Sequence, residues 1–247
     1  MSGNARRPSG QLAFCGDAAQ ETDVLDGGLS GGGMVDFAQA RRTMVDCQVR
    51  TADVTDLRVI AALLEVPRER FAPGREAIAY LDADLPVASG RAARAILKPM
   101  VFGKLLQAAE IGPGDRVLDV GCATGYSAAV LARLAGHVVA LEEDTQAAQG
   151  MLAGIANVSV VAGALAAGCE KEAPYDVILV EGAAEVVPQA LFRQLKEGGR
   201  LLAVVGSAPM GKAMIYRVSG GHVTAQPLFD AAAPALPGFA RPPEFVF

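Results

Sequence analysis

The stretch VLDVGCATGYSAAVLA, residues 117–132, runs from an apolar segment through a turn of small residues into a segment with helical spacing. We call residues 121–125 the glycine turn. A strand that breaks at Gly121 and a helix that begins near Tyr126 leave backbone N–H groups directed at whatever binds above the turn. Asp119 adds a carboxylate just before it. This arrangement is typical of nucleotide-binding α/β units.

The spacing of the small residues indicates which nucleotide is bound. Gly121, Ala123 and Gly125 alternate, so the G-x-G-x-x-G pattern of dinucleotide-binding turns is not met. No G-K-S/T sequence follows the turn, which excludes a P-loop. We therefore expect a nucleoside ligand that carries no phosphate.

A second carboxylate, Glu142, ends the next apolar run, HVVALEED. It lies about twenty residues beyond the turn, where a carboxylate can accept hydrogen bonds from both hydroxyls of a ribose. An isolated acid at such a point is more often a charge at a helix N-terminus. The combination with Asp119 and the glycine turn favours the ribose role.

Composition and charge argue against several other classes of partner. The formal net charge is -5 and Lys and Arg are not clustered, so no nucleic-acid partner is expected. With two histidines and widely spaced cysteines, no metal site is predicted. No apolar run approaches the ~20 residues that cross a bilayer, so no membrane partner is expected either. We predict a cytoplasmic protein with reduced thiols at Cys15, Cys47, Cys122 and Cys169.

The first 33 residues differ in composition from the rest. They contain DGGLSGGG and scattered apolar residues without a period, which predicts a disordered extension, residues 1–33. At Met34 the pattern changes abruptly, so this methionine is a candidate native start, and a flexible tail is the alternative. In either case, deletion of the extension should change the melting temperature little.

Helical patterns follow over residues 34–71 and 99–110. Asp53 is the predicted cap of the second helix, and Pro67 is its predicted end. The apolar face predicted for that helix comprises Val54, Leu57, Ile60, Ala61 and Leu64. Residues 72–95, rich in Pro and Gly, are predicted as an extended connection that ends in an Arg-bearing loop.

Short apolar runs then alternate with helix-length segments. The predicted strands are residues 116–120, 137–141, 158–162, 175–180 and 200–205. This alternation predicts a doubly wound, mostly parallel sheet of the α/β class, covered on both faces. Two β-rich runs around Gly220 and Gly221 predict a C-terminal antiparallel hairpin.

Several of these segments resemble motifs of class I S-adenosylmethionine methyltransferases. The resemblance is carried by VLDVGCATGYSAAVLA, LEED, YDVILVEGA and LKEGGRLLAVVG. Their order and spacing are similar to those of the protein-L-isoaspartate O-methyltransferase family, and VPRERF resembles that family's VPREKF segment. The resemblance implies a Rossmann-like fold with S-adenosylmethionine as cofactor. It also implies a helical subdomain with an acceptor loop, residues 34–110, and a cofactor-binding domain, residues 111–247.

The resemblance further implies a role for individual residues. Glu142 would bind the ribose of the cofactor. The pocket for its methionine part would be formed by Asp119, Gly121, Cys122 and Gly125, and the adenine would be bordered by Gly163, Ala164 and Leu165. Small residues let the backbone approach a bulky sulfonium, and Asp119 can bind the ammonium group. Simple packing would also account for Cys122 and Ala123.

The chain departs from the family pattern at three positions. In the acceptor loop, AILKP at residues 95–99, Leu97 stands where the family has a catalytic serine. Ala164 replaces an Asp of the adenine loop, and Glu181 replaces a residue that is usually a small hydroxyl. No catalytic residue is therefore assigned. The flanking cations Arg91, Arg94 and Lys98 could grip an anionic acceptor or simply be solvated, and His137 and His222 are interpreted as structural or surface residues.

Three functions remain open on these residues. The first is S-adenosylmethionine-dependent carboxyl methylation of isoaspartyl residues in a protein or peptide. The second is methylation of another acceptor, including a small molecule, which the loss of the serine permits. The third is a module that binds the cofactor without catalysis.

Overall fold

Helices and a hairpin precede the main sheet. The computed structural model describes residues 35–89, 92–207 and 210–241. Its first elements are helices α1 (Phe37–Met44) and α2 (Leu57–Glu65), strands β1 (Leu85–Ser89) and β2 (Ala92–Ile96), and helix α3 (Pro99–Ala109). The predicted helical segments are therefore present. The predicted disordered extension, residues 1–33, lies outside the described residues.

The start of α2 differs from the prediction. Asp56 caps this helix instead of Asp53, and its carboxylate accepts hydrogen bonds from the first backbone N–H groups of α2. The side chain of Gln107, from α3, accepts from the backbone N–H of Asp56 at 2.9 Å, a tertiary contact that fixes this start. As a result Leu57 and Ala61 are exposed. The buried face consists of Val59, Ile60, Ala62 and Leu63.

Strands β1 and β2 form an antiparallel hairpin where an extended connection, residues 72–95, was predicted. That prediction was wrong because Pro86 and Arg94 interrupt the apolar alternation. Val87 pairs with Arg94 in the hairpin, and Leu85 pairs with Ile96. The acceptor loop, residues 95–99, begins in the last residues of β2 and ends at the first residue of α3.

The main sheet follows in the chain. Its strands are β3 (Arg116–Val120), β4 (His137–Glu142), β5 (Val158–Ala162), β6 (Tyr175–Ala184), β7 (Leu195–Ser207), β8 (Met210–Ser219) and β9 (His222–Asp230). Their order is β5-β4-β3-β6-β7-β8-β9. Pairing is parallel from β5 to β7 and antiparallel from β7 to β9, which confirms the mostly parallel sheet and the C-terminal hairpin.

Helices cover both faces of this sheet. They are α4 (Tyr126–Leu131), α5 (Gln146–Leu152) and α6 (Gln189–Phe192). Val117 of β3 belongs to an apolar cluster with α3 and α4, and the next residue, Leu118, belongs to a second cluster with α6. The doubly wound class is therefore confirmed. The boundary predicted between residues 110 and 111 stays a prediction.

The helices have a further property in common. Within the described part of the chain, each is too short or too polar to cross a membrane.

Candidate functional site

The glycine turn joins β3 to α4 at the carboxyl end of the sheet. Its first N–H group, that of Gly121, donates to the carbonyl of Leu141 at 2.9 Å. Gly125 donates to the carbonyl of Cys122 at 2.7 Å, and Ala123 donates to a carboxylate at the end of β4. These three N–H groups are used within the protein and are therefore not free for a ligand.

Two residues of the glycine turn show why small side chains are needed there. Gly125 has a φ of 99°, and a Cβ placed on it would lie 2.8 Å from the side chain of Leu152. Ala123 has a φ of 53° although it carries a Cβ. A non-glycine residue in this left-handed region costs about 1–2 kcal/mol. The turn is thus held in a tight shape that the surrounding contacts must stabilise.

Asp119, at the end of β3, is fully buried. Its Oδ2 accepts a hydrogen bond from the Ser127 hydroxyl at 2.7 Å, whereas its Oδ1 has no partner among the described residues. Burial raises the pKa of Asp119 to about 7. The hydrogen bond from Ser127 lowers this pKa, and the negative charge of Glu142 raises it. A buried carboxylate with an unpaired oxygen is suited to a ligand that carries a donor or a positive charge.

Glu142 is also buried, and its carboxylate is paired with Arg94 of β2. The Nη2 of Arg94 donates to Oε1 of Glu142 at 2.8 Å, and its Nε lies 3.0 and 3.1 Å from the two carboxylate oxygens. The same Oε1 accepts from the N–H of Glu143 at 2.8 Å, and Oε2 accepts from the N–H of Ala123 at 2.9 Å. Both oxygens that were predicted to bind a ribose are therefore engaged within the chain.

This pairing changes the interpretation of Arg94. Its side chain is 2% exposed and also reaches Glu143, at 2.9 Å. Burial opposes its charge, but the hydrogen bonds and charges of the two glutamates raise the pKa of Arg94 above its usual value. The expectation of a solvated or acceptor-binding Arg94 was wrong, because the hairpin turns this residue toward β4. Arg91 lies outside the described residues, and Lys98 is half-buried.

The residues predicted to border the adenine lie beside the end of β4. The N–H of Gly163 donates to the carbonyl of Glu142 at 3.0 Å. Leu165 is buried, and its Cδ1 would lie 3.6 Å from a Cβ placed on Gly121. Ala164 is exposed. The structure therefore brings the predicted site residues together around the carboxyl ends of β3 and β4.

Glu181 lies at the same edge, on β6. Val180 pairs with Val120, so the next residue of β6, Glu181, lies at the level where Gly121 begins the turn. Glu181 is 6% exposed, and its Oε1 has no partner among the described residues. Burial and the charge of Asp119 raise the pKa of Glu181 well above its usual range, against the opposing effect of Arg68. Two buried acids thus face one another across adjacent strands.

Arg68 is a site residue to which sequence reasoning gave no role, although it lies in the VPRERF segment. It is fully buried, and it donates to the carbonyl of Ala79 at 2.7 Å and to that of Leu97 at 2.9 Å. Its guanidinium lies 4.9 Å from the centre of the Tyr126 ring. Its neighbours in the sequence, Pro67 and Glu69, give no signal that it is buried, so only the fold shows which carbonyl groups it binds.

The two histidines lie outside this group of residues. His137 begins β4, at the opposite end of the strand from Glu142, and its Nε2 lies 3.2 Å from the Ser159 hydroxyl. His222 is exposed at the start of β9. In the part of the chain that the structure describes, no group of three or more His, Cys, Asp or Glu side chains could hold a metal ion.

The fold and the edge where these residues meet define a class of protein. A mostly parallel doubly wound sheet, a glycine turn after β3 and an acid at the end of β4 are the features of class I methyltransferases. Residues 39–228 match the family model of protein-L-isoaspartate(D-aspartate) O-methyltransferase. The chain belongs to this family, whose members are enzymes that use S-adenosylmethionine.

Individual relatives agree with this assignment. A protein-L-isoaspartate O-methyltransferase of Koribacter versatilis is 39% identical over 202 residues, which is 78% of this chain and 89% of the relative. One of Methanoculleus marisnigri is 40% identical over 172 residues, 67% of this chain and 77% of the relative.

Solved structures share the fold. A protein-L-isoaspartate O-methyltransferase superposes with a TM-score of 0.71 at 26% identity, over 80% of this chain and 66% of that one. A Plasmodium falciparum protein, solved with S-adenosyl-L-homocysteine, superposes with a TM-score of 0.64 at 20% identity, over 79% of this chain and 97% of that one.

Proposed function

We propose that this chain transfers the methyl group of S-adenosylmethionine to the carboxylate of isoaspartyl residues in proteins. The observation that carries the proposal is the family match, which spans the glycine turn, Glu142 and the acceptor loop. Relatives at 39–40% identity bear the name of this activity. We place the activity in the cytoplasm, where Cys47, Cys122 and Cys169 would stay reduced.

The residues of the site fit a cationic nucleoside ligand once one contact has been released. Asp119 has an unpaired buried oxygen for the ammonium group of the cofactor. In this proposal the backbone at Gly121, Cys122 and Gly125 approaches its methionine part closely. Glu142 binds the ribose hydroxyls after Arg94 has left its carboxylate. The adenine lies against Gly163, Ala164 and Leu165.

The chemistry requires little beyond positioning. The cofactor supplies a methyl group bound to a positively charged sulfur. An ionised carboxylate is already a nucleophile, so the chain needs no general base and contributes alignment and the exclusion of water. The buried turn and the buried acids provide a site with little solvent. A catalytic serine or histidine is not required by this account.

A direct test is methyl transfer from a labelled cofactor. We expect label to enter an isoaspartyl peptide and not the aspartyl peptide of the same sequence. Label in neither peptide, with the cofactor bound, would contradict the proposal. Label only in a metabolite extract would favour the second candidate, a methyltransferase with another acceptor, for which Leu97 in place of the family serine is the supporting observation.

The acceptor loop supplies a prediction for the same assay. Leu97 is 1% exposed, so both Leu97→Ala and Leu97→Ser should lose packing and stability. If the serine hydroxyl contacts the acceptor, Leu97→Ser should exceed Leu97→Ala in kcat/KM by up to about tenfold, the value of one hydrogen bond. Equal rates for the two variants would show that position 97 does not contact the acceptor.

A further inference from the structure

Glu181 is a departure from the family pattern that lies beside the glycine turn. The end of β6 lies between β3 and β7, and ligands of parallel α/β sheets bind at such carboxyl ends. Val180 pairs with Val120, which brings Glu181 beside the glycine turn. The residue is therefore at the edge of the sheet where cofactor and acceptor must meet.

The surroundings of Glu181 do not balance a negative charge. Asp119 faces it from β3, Cys122 from the glycine turn and Tyr126 from α4. Arg68, in the segment after α2, is the cation that acts on it. None of the described groups donates a hydrogen bond to its Oε1. An ionised carboxylate in such a place carries a large desolvation cost, so the neutral acid is the favoured form.

Arg68 does not remove this cost, because its donors are directed elsewhere. Its Nε and Nη2 donate to the carbonyl groups of Ala79 and Leu97. Its Nη1 has no partner among the described residues, so it does not pair with Glu181 either. The contact with Leu97 also shows that the acceptor loop and Glu181 lie around the same guanidinium. Arg68, whose charge acts on Glu181, therefore also contacts the loop in which the family's hydroxyl is missing.

An anionic acceptor needs a donor at this point. A charged Glu181 would repel an acceptor carboxylate, whereas a neutral carboxylic acid can donate to it. Leu97 offers no donor. We infer that Glu181, as a neutral acid, donates a hydrogen bond to the acceptor carboxylate and so replaces the hydroxyl that the acceptor loop lacks. This inference rests on the function proposed above.

The step involves no proton transfer. One acceptor oxygen receives the hydrogen bond from Glu181, and the other forms the new bond to the methyl carbon. The carbon–sulfur bond breaks at the same time, and its electron pair stays on sulfur. Glu181 keeps its proton and can act again when the methyl ester has left. It is therefore a residue for acceptor binding and orientation.

The test is the pH dependence of kcat/KM for an isoaspartyl peptide, from pH 6 to pH 9.5. In the wild type kcat/KM should fall as the pH rises through the pKa of Glu181. The ionised side chain cannot donate a hydrogen bond to the acceptor carboxylate and repels its charge. Glu181→Gln keeps a neutral donor, so it should be active within about threefold at low pH and lose this alkaline fall. Glu181→Ala should be about tenfold less active at low pH. Asp119 also titrates in all three proteins, so the part of the profile assigned to Glu181 is the alkaline fall that is lost in Glu181→Gln.

Two further measurements separate the possible outcomes. Calorimetry with S-adenosylhomocysteine should give the same affinity for the wild type and Glu181→Gln. Infrared difference spectra at pH 7 should show a protonated carboxyl band that Glu181→Gln lacks. An unchanged pH profile in Glu181→Gln, or no such band in the wild type, overturns the inference and leaves the proposed function intact. If the wild type binds S-adenosylhomocysteine but methylates no isoaspartyl peptide at any pH, the proposed function fails and the inference fails with it.

Discussion

Replacement of Arg94 by alanine is expected to tighten the binding of S-adenosylhomocysteine by about tenfold or more. In the structure Arg94 holds the carboxylate of Glu142 with three contacts of 2.8–3.1 Å. A ribose can bind Glu142 only when this ion pair opens, so the pair lowers the apparent affinity of the site. Calorimetry on the wild type and on Arg94→Ala measures the difference directly.

The same variant should be less stable without ligand. Removal of one partner from a buried ion pair costs about 3–5 kcal/mol, because the other charge stays buried and unpaired. The ribose hydroxyls would then supply the missing donors, so the melting temperature of Arg94→Ala should rise more on addition of S-adenosylhomocysteine than that of the wild type. Arg133→Ala, which removes a partly exposed ion pair with Glu65, is the matched control. Weaker binding by Arg94→Ala than by Arg133→Ala would contradict this account of the site.

A second large effect is expected for Arg68→Ala. Arg68 is fully buried and is the donor to the carbonyl groups of Ala79 and Leu97. Its loss leaves two buried acceptors unpaired at about 1–3 kcal/mol each, together with a cavity beside Tyr126. We expect the free energy of unfolding, measured in urea, to fall by more than about 3 kcal/mol.

Two variants serve as controls for Arg68. Arg70→Ala removes an exposed arginine of the same segment and should cost less than about 0.5 kcal/mol. Arg68→Lys keeps the charge but lacks the planar guanidinium that reaches both carbonyl groups. Its free energy of unfolding should therefore lie between those of Arg68→Ala and the wild type. If Arg68→Ala were as stable as Arg70→Ala, the bridging role of Arg68 would be refuted.

The features that the sequence made predictable are local ones. The turn after β3 could be predicted from the sequence because Gly121 and Gly125 follow an apolar run. The structure gives the reason for the small residue at Gly125, since a Cβ there would clash with Leu152. Glu142 is visible because it ends the next apolar run. Strand and helix alternation also predicted the order of elements, although β6 and β7 extend beyond the predicted residues. Each of these signals comes from neighbouring residues.

The features that could not be predicted depend on contacts between distant residues. Arg94 and Glu142 are 48 positions apart, and their ion pair follows from a hairpin whose apolar pattern is interrupted. The choice of Asp56 over Asp53 as a cap follows from the contact with Gln107 on α3. Both aspartates satisfy the local rule for a cap, so tertiary packing alone decides between them.

In the proposed site, the carboxyl ends of β3 and β4 hold S-adenosylmethionine with Glu142 on its ribose. Titration calorimetry of S-adenosylhomocysteine into the wild type and Glu142→Ala tests it most directly. We expect one binding site per chain in the wild type and a loss of about 1.5–3 kcal/mol of binding free energy in Glu142→Ala, the value of hydrogen bonds to a charged group. NAD should not compete. The absence of binding at millimolar ligand, or equal affinity in the two proteins, would show that Glu142 does not bind the ribose of the cofactor.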